Sequence, residues 1–188
     1  MIRNGNYFSE EIPRVTFKVR QGDVAPDGPG CPIGGTWKDV FTDDYFKGKR
    51  VVLFSLPGAF TPTCSSKQLP GFEYNYDKIK GMGIDEIYCM SVNDSFVMNA
   101  WARDLGIKNV KMIPDGDGTF TRSMGMLVNK PKQGFGMRSW RYAAIVSDGT
   151  IEQMFIEPGQ NDFSDDDDPY TVSSPEHVLE NMIEHVKL

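Results

Sequence analysis

The apolar positions of this chain fall into short runs divided by polar, glycine- and proline-rich turns, and their period changes along the sequence. Val15-Thr16-Phe17-Lys18-Val19 alternates as a half-buried strand requires and predicts the start of an N-terminal hairpin. Val51, Val52, Leu53, Phe54 and Leu56 are almost continuously apolar between Lys49-Arg50 and Pro57-Gly58, which marks a strand covered on both faces and central in its sheet. Ile84–Val92 reads as a second buried strand and Val110–Ile113 as a third. Helical spacing links them. One helix starts near Pro62, is expected to kink at Pro70-Gly71 and resumes over Phe72–Lys80. Another covers Ser95–Leu105, with Asp94 as N-cap and Phe96, Val97, Ala100, Trp101 and Leu105 toward the core, and a short one covers Thr119–Met124.

The last third changes pattern. Trp140–Ser147 and Thr150–Glu157 are apolar-rich strands around Asp148-Gly149, a dipeptide suited to the two-residue turn of an antiparallel hairpin. Ser174 then caps a helix with Pro175 at its first position and an apolar stripe of Val178, Leu179, Met182, Ile183 and Val186. Strand–helix alternation followed by a hairpin predicts the α/β class with a mixed sheet. Two stretches resist regular structure. Residues 21–36 carry five glycines and three prolines and read as a surface loop, while the acidic stretch Asn161–Ser174 reads as a solvated loop lacking the ligand spacing of a calcium site.

At 188 residues, 39% hydrophobic and 24% charged, residues 1–188 are expected to form a single domain. The net charge of −6 argues against nucleic acid or an anionic membrane as the main partner. No apolar run has the length of a signal peptide or a membrane span, so the expected location is cytoplasmic. Three cysteines, Cys31, Cys64 and Cys89, lack a CxxC pair and indicate neither a disulfide framework nor a zinc site. The two histidines, His177 and His185, both lie near the C-terminus, which speaks against a Cys-His pair or a histidine metal cluster. No metal, flavin or haem motif is visible, and no cofactor is expected.

The chemistry concentrates on the end of the central strand. Pro57-Gly58 stops that strand, and Cys64 follows Pro62 within the first turn of the next helix. A thiol there meets unpaired backbone donors and the positive end of the helix dipole, which favour the nucleophilic thiolate. Thr61 can set a hydroxyl against the sulfur or against an oxygen beside it, and Pro57 and Pro62 wall the site from water. Cys31, in the glycine-rich loop, reads as an incidental thiol, and Cys89, in mid-strand, as a core residue.

The stretch PGAFTPTCS (57–65) closely resembles the active-site signature of the peroxiredoxins of the type-five subfamily, with Pro57, Thr61 and Cys64 on its Pro-x-x-x-Thr-x-x-Cys pattern. SVNDSFVMNAW (91–101), IPDGDGTFT (113–121), GFGMRSWRY (134–142) and MFIEP (154–158) resemble their counterparts in the same order, so the likeness spans nearly the whole chain. The loop at 21–36 is longer than the subfamily pattern. The resemblance implies a thioredoxin-like fold, a central mixed β-sheet flanked by helices with an N-terminal β-hairpin extension. It also implies a thiol peroxidase, in which Cys64 attacks hydrogen peroxide or an alkyl hydroperoxide and becomes a sulfenic acid.

Arg138 in RSWRY matches the position of the family's catalytic arginine, with Arg141 the second candidate. Glu157–Leu188 holds no cysteine. The implied cycle therefore uses one cysteine and an external thiol, either glutathione with glutaredoxin or thioredoxin. An atypical two-cysteine cycle through Cys31 or Cys89 is the alternative, as is a non-catalytic redox-sensing or chaperone module on the same fold. A dithiol reductase is disfavoured because Cys64-Ser65-Ser66-Lys67 lacks a second cysteine. Relatives pair as homodimers through loops around the active-site helix, and Phe60, Leu69 and Phe120 are the residues expected at such a contact.

Overall fold

In the computed structural model, residues 2–3, 6–7, 11–22, 35–162 and 168–186 are described. Cys31, the interior of the glycine-rich loop and residues 163–167 of the acidic stretch lie outside them. The chain opens with two hairpins. The first pairs β1 (Ile2–Arg3) with β2 (Asn6–Tyr7), and the second pairs β3 (Thr16–Gln21) with β4 (Thr36–Phe41) in antiparallel register, Phe17 opposite Val40. The expected strand at 15–19 thus finds its partner across the breaker-rich segment. A short helix α1 (Thr42–Phe46) follows, with the Asp44 carboxylate accepting from the Phe41 amide, and leads into β5 (Arg50–Ser55).

After β5 come α2 (Leu69–Tyr74), α3 (Tyr76–Lys80), β6 (Glu86–Ser91), α4 (Ser95–Asp104), β7 (Lys111–Pro114) and α5 (Thr119–Ser123). Then follow β8 (Leu127–Lys130), β9 (Gly136–Ser139), β10 (Tyr142–Ser147), β11 (Thr150–Ile156) and α6 (Pro175–Val186). The main sheet has the order β11-β10-β5-β6-β7. Its β5-β6-β7 part is parallel, as crossover helices demand, and β10 and β11 are antiparallel, so the sheet is mixed as expected. Asp148 and Gly149 sit at φ 47° and 81°, the left-handed pair that the tight β10–β11 turn requires. The β8–β9 hairpin had no counterpart in the sequence reading, because Pro131, Lys132, Gln133, Gly134 and Gly136 interrupt any alternation.

Alternation along the central strands sorts their side chains onto two cores. Val51 and Leu53 of β5, Tyr88 and Met90 of β6 and Ala144 of β10 face one layer, built from Phe17, Phe46, Phe120 and Val128. Val52 and Phe54, Ile87 and Cys89, Ala143 and Ile145 face the other, covered by Leu69, Phe72, Ile79, Met98, Trp101, Val178 and Met182. Phe54 and Phe72 stack at 4.0 Å between ring centroids, fixing α2 to β5. The buried face of α4 is Ser95, Met98 and Trp101, whereas Phe96 turns outward onto Trp37. Leu69 and Phe120, expected at a subunit contact, are fully buried in the chain's own two cores, and only Phe60 of that set is exposed.

The helix behind Cys64 departs from the expected kink. Helical backbone runs unbroken through Pro70-Gly71 and is interrupted at Asn75, while Cys64–Gln68 forms a wide turn of π type, with the Leu69 amide donating back to the Cys64 carbonyl. Pro70 has no N–H to offer the Ser66 carbonyl and its ring would meet that carbonyl in an α-turn; widening the preceding turn relieves both. Asn75 marks the break by donating its side-chain amide to the Gly71 carbonyl.

Candidate active site

The site forms where β5 ends. The loop Leu56–Thr63 leaves the strand and delivers Cys64 to the wide turn, with the thiol fully buried against Leu69 and Phe72. Two tethers hold this segment. Asn93, just past β6, accepts the Ala59 amide at 3.0 Å and the Ser91 hydroxyl at 2.6 Å, while Trp101 of α4 donates its indole N–H to the Ser65 hydroxyl at 3.0 Å. The Thr61 hydroxyl donates to the Gly58 carbonyl at 2.7 Å, so its proton is committed and its lone pairs are what it can present elsewhere. Phe60 lies between them at φ 61°, an unfavourable conformation for an aromatic residue, and is 55% exposed.

The arginine at the sulfur is Arg141. Its Nη1 lies 3.6 Å from Cys64 Sγ and also donates to the Gln68 side-chain carbonyl, its Nη2 pairs with Asp168, and its Nε makes no hydrogen bond among the described residues. The side chain is 1% exposed. Burial opposes its charge, yet the Cys64 sulfur and the Asp168 carboxylate outweigh burial and hold the guanidinium above its ordinary pKa. Strand parity explains the placement: Tyr142 opens β10 opposite Ser55, so Arg141, one residue earlier, shares the face of Ala143 and Ile145 that carries the Cys64 helix.

Arg138, which the sequence pattern favoured for this place, is on β9 behind the loop. Its Nη1 donates to the Val92 carbonyl at 3.0 Å, its guanidinium lies 5.7 Å from the Phe135 ring, and burial lowers its pKa. Pro57 and Thr61 line a cavity of about 250 Å³ whose walls include Pro62, Val128, Phe135, Trp140, Arg141 and Asp168. Cys64 lies behind this wall. The cavity wall is mostly apolar, with Lys130, Arg141 and Asp168 as its charged groups.

The sequence reading missed Gln68, Asp168 and Glu157. Glu157 is 1% exposed and accepts four hydrogen bonds, from the amides and hydroxyls of Thr171 and Ser173, at 2.7 to 2.9 Å. Burial raises its pKa, but these donors outweigh it and hold the carboxyl below the usual range. The strap 168–173 is thereby fastened to the end of β11, which presents Asp168 to Arg141 and sets the Tyr170 ring 5.7 Å from the guanidinium. Cys89 lies in the same core as Cys64, opposite Phe54 on β6, and burial pushes its thiol well above the ordinary range, with Cys64 adding to the effect. Both cysteines are free thiols.

With this geometry in view, the comparisons with known proteins converge. The redoxin family model matches residues 20–171. A peroxiredoxin of Rhizobium etli is 58% identical over 172 residues, covering 90% of this chain and 93% of its own. Among solved structures, the antioxidant protein of Plasmodium falciparum, described as a 1-Cys peroxiredoxin, superposes with a TM-score of 0.83 at 38% identity, covering 93% of this chain and 98% of its own. Reduced Prx3 of Vibrio vulnificus in complex with hydrogen peroxide superposes with a TM-score of 0.80 at 31% identity, covering 97% and 99%.

Proposed function

Because the chain belongs to the redoxin family and is a peroxiredoxin, a thiol peroxidase, we propose that Cys64 is its peroxidatic residue and that Arg141, Thr61 and Pro57 complete the site. The observation that carries this reading is the Arg141 guanidinium 3.6 Å from a fully buried cysteine sulfur. The Cys64 thiolate attacks one peroxide oxygen and the O–O bond breaks. Sulfur gives up two electrons and becomes the sulfenic acid, and the departing oxygen takes a proton to leave as water or an alcohol. Arg141 serves both ends of this transfer: a planar guanidinium stabilises the sulfur anion through Nη1 and has a further N–H for the oxygen on which charge develops. Thr61, its own proton held by Gly58, accepts from the peroxide O–H and fixes its orientation.

The cycle closes with an external thiol. Glutathione condenses with the sulfenic acid, releasing water and forming a mixed disulfide, and glutaredoxin with a second glutathione returns the thiol; thioredoxin is the other candidate reductant. Burial of Cys89 on a central strand, with its thiol kept protonated, supports one-cysteine turnover over resolution by Cys89. The one-cysteine description of the Plasmodium relative points the same way. A cycle of this kind belongs in the cytoplasm, where reduced thiol pools are maintained. No helix among the described residues is long and apolar enough to cross a membrane.

The test is a coupled peroxidase assay with glutathione and glutaredoxin beside thioredoxin. Cys64→Ser is expected to abolish activity, and Cys31→Ser and Cys89→Ser, singly and together, to keep most of it. Mass spectrometry after one equivalent of peroxide plus glutathione should find the adduct on Cys64. A dominant Cys64–Cys31 or Cys64–Cys89 crosslink would overturn the one-cysteine mechanism.

A further inference from the structure

The buried guanidinium of Arg141 faces two anion positions at once. Nη1 points at the Cys64 sulfur and Nη2 at the carboxylate of Asp168, which is 40% exposed and borders the cavity. An arginine stays charged in any protein environment, and a buried charge is costly unless a counter-ion is at hand. During turnover Cys64 passes through uncharged states, the thiol and the sulfenic acid, and in those states the sulfur cannot fill that role. We propose that Asp168 is a second counter-ion of Arg141 that competes with the cysteine, so that its carboxylate governs, through the guanidinium, how readily the sulfur carries negative charge.

The geometry separates this electrostatic role from a merely mechanical one. Arg141 does not depend on Asp168 for its place. Nη1 is also held by Gln68, the Tyr170 ring lies under the guanidinium, and the Arg141 carbonyl accepts the Glu157 amide at 3.1 Å. Nor does the strap depend on Asp168, since Glu157 fastens it at Thr171 and Ser173. Removing the carboxylate charge therefore leaves the arginine at the sulfur with one competitor fewer.

Among the described residues, the groups facing this pair from the packed elements are few. They are Cys89 of β6, kept protonated by burial; the neutral Gln68; the Tyr170 phenol, pushed up to about 12 chiefly by burial; Glu157, committed to its four donors; and Lys130 of β8 on the cavity wall. Among the described residues, Asp168 is the carboxylate in direct contact with the guanidinium.

The inference rests on the reading of Cys64 and Arg141 as the reacting pair, and its test uses no peroxide. The full-length protein is alkylated with iodoacetamide from pH 5 to 8, and modification of the Cys64 peptide is followed by mass spectrometry. For Asp168→Asn, the same shape without the charge, the profile is expected to move to lower pH by about half a unit or more, roughly threefold faster on the acid limb. Asp168→Glu, which keeps the charge, should restore the wild-type profile. A thermal melt of each variant confirms folding, and Asp168→Ser serves if the asparagine variant melts early. An Asp168→Asn profile that superimposes on wild type, or moves to higher pH, overturns the proposal. A wild-type protein without peroxidase activity would instead sink the reading of Cys64 and leave the alkylation comparison standing.

Discussion

At the scale of single residues, one hydrogen-bonded register determines which of Arg138 and Arg141 lies against the Cys64 sulfur. The motif RSWRY offers two arginines three positions apart, and matching by motif favoured the first. Pairing of Tyr142 with Ser55 puts Arg141 on the sulfur side of the sheet, while Arg138 is spent on the Val92 carbonyl. The signal was present in the sequence as the alternation Arg141, Ala143, Ile145 running back from a strand that was recognised, but a motif match does not weigh parity. Arg141→Ala is expected to lower the second-order rate constant for peroxide by about 10²–10³-fold, the usual loss when an electrostatic stabiliser of the transition state is removed. Arg138→Ala should cost at most about tenfold, through the loop it supports. Stopped-flow kinetics of the two variants side by side makes the check, and equal losses would reverse the assignment.

At the scale of elements, the wide turn Cys64–Gln68 shows how a proline acts at a distance. The sequence indicates that Pro70-Gly71 disturbs the helix, and the disturbance appears one turn earlier, in the segment that carries Cys64. The turn is steadied from outside by α4: the Trp101 indole, fully buried, has the Ser65 hydroxyl as its acceptor. Ser65→Ala leaves that N–H in an apolar core without its partner, a cost of about 1–3 kcal/mol. For a domain of this size that corresponds to a drop of several degrees in melting temperature, roughly 2–4 °C per kcal/mol, which calorimetry would read directly. A melt within about 1 °C of wild type would show that the tether contributes little. The tether was not legible beforehand, since it joins residues 36 apart in the chain, and the β8–β9 hairpin, though local, was hidden by the breakers at its turn.

At the scale of the whole molecule, the open question is association. Phe60 stands 55% exposed beside the site at a strained positive φ, and strain of that kind persists where surrounding structure or a partner holds it. An isologous pair with Phe60 at its centre is therefore expected. Sedimentation at micromolar concentration should give the mass of two chains, and Phe60→Asp, which sets two carboxylates against each other across the axis, should shift the species to one chain. A wild-type monomer at that concentration would defeat the idea. The sequence reading also offered Leu69 and Phe120 for this surface. Both are consumed by the interior, because apolar character marks a residue for burial without saying on which side of the chain's own boundary the burial occurs.

What the sequence determined by itself was whatever its local chemistry encodes. The apolar run at 51–56 could only be a central strand, Asp148-Gly149 only a tight turn, Ser174-Pro175 only a helix start, and Cys64 three residues past Thr61 belonged to one recognisable pattern. Tertiary structure alone decided which charges meet. Asp168 and Gln68 reach Arg141, and Glu157 fastens the strap that brings Asp168 there, across separations of 27, 73 and 14 to 16 residues. Periodicity reports which face of an element is apolar. It carries no information on which polar groups the folded sheet brings together at its carboxyl edge, and there the electrostatics of the cysteine are set.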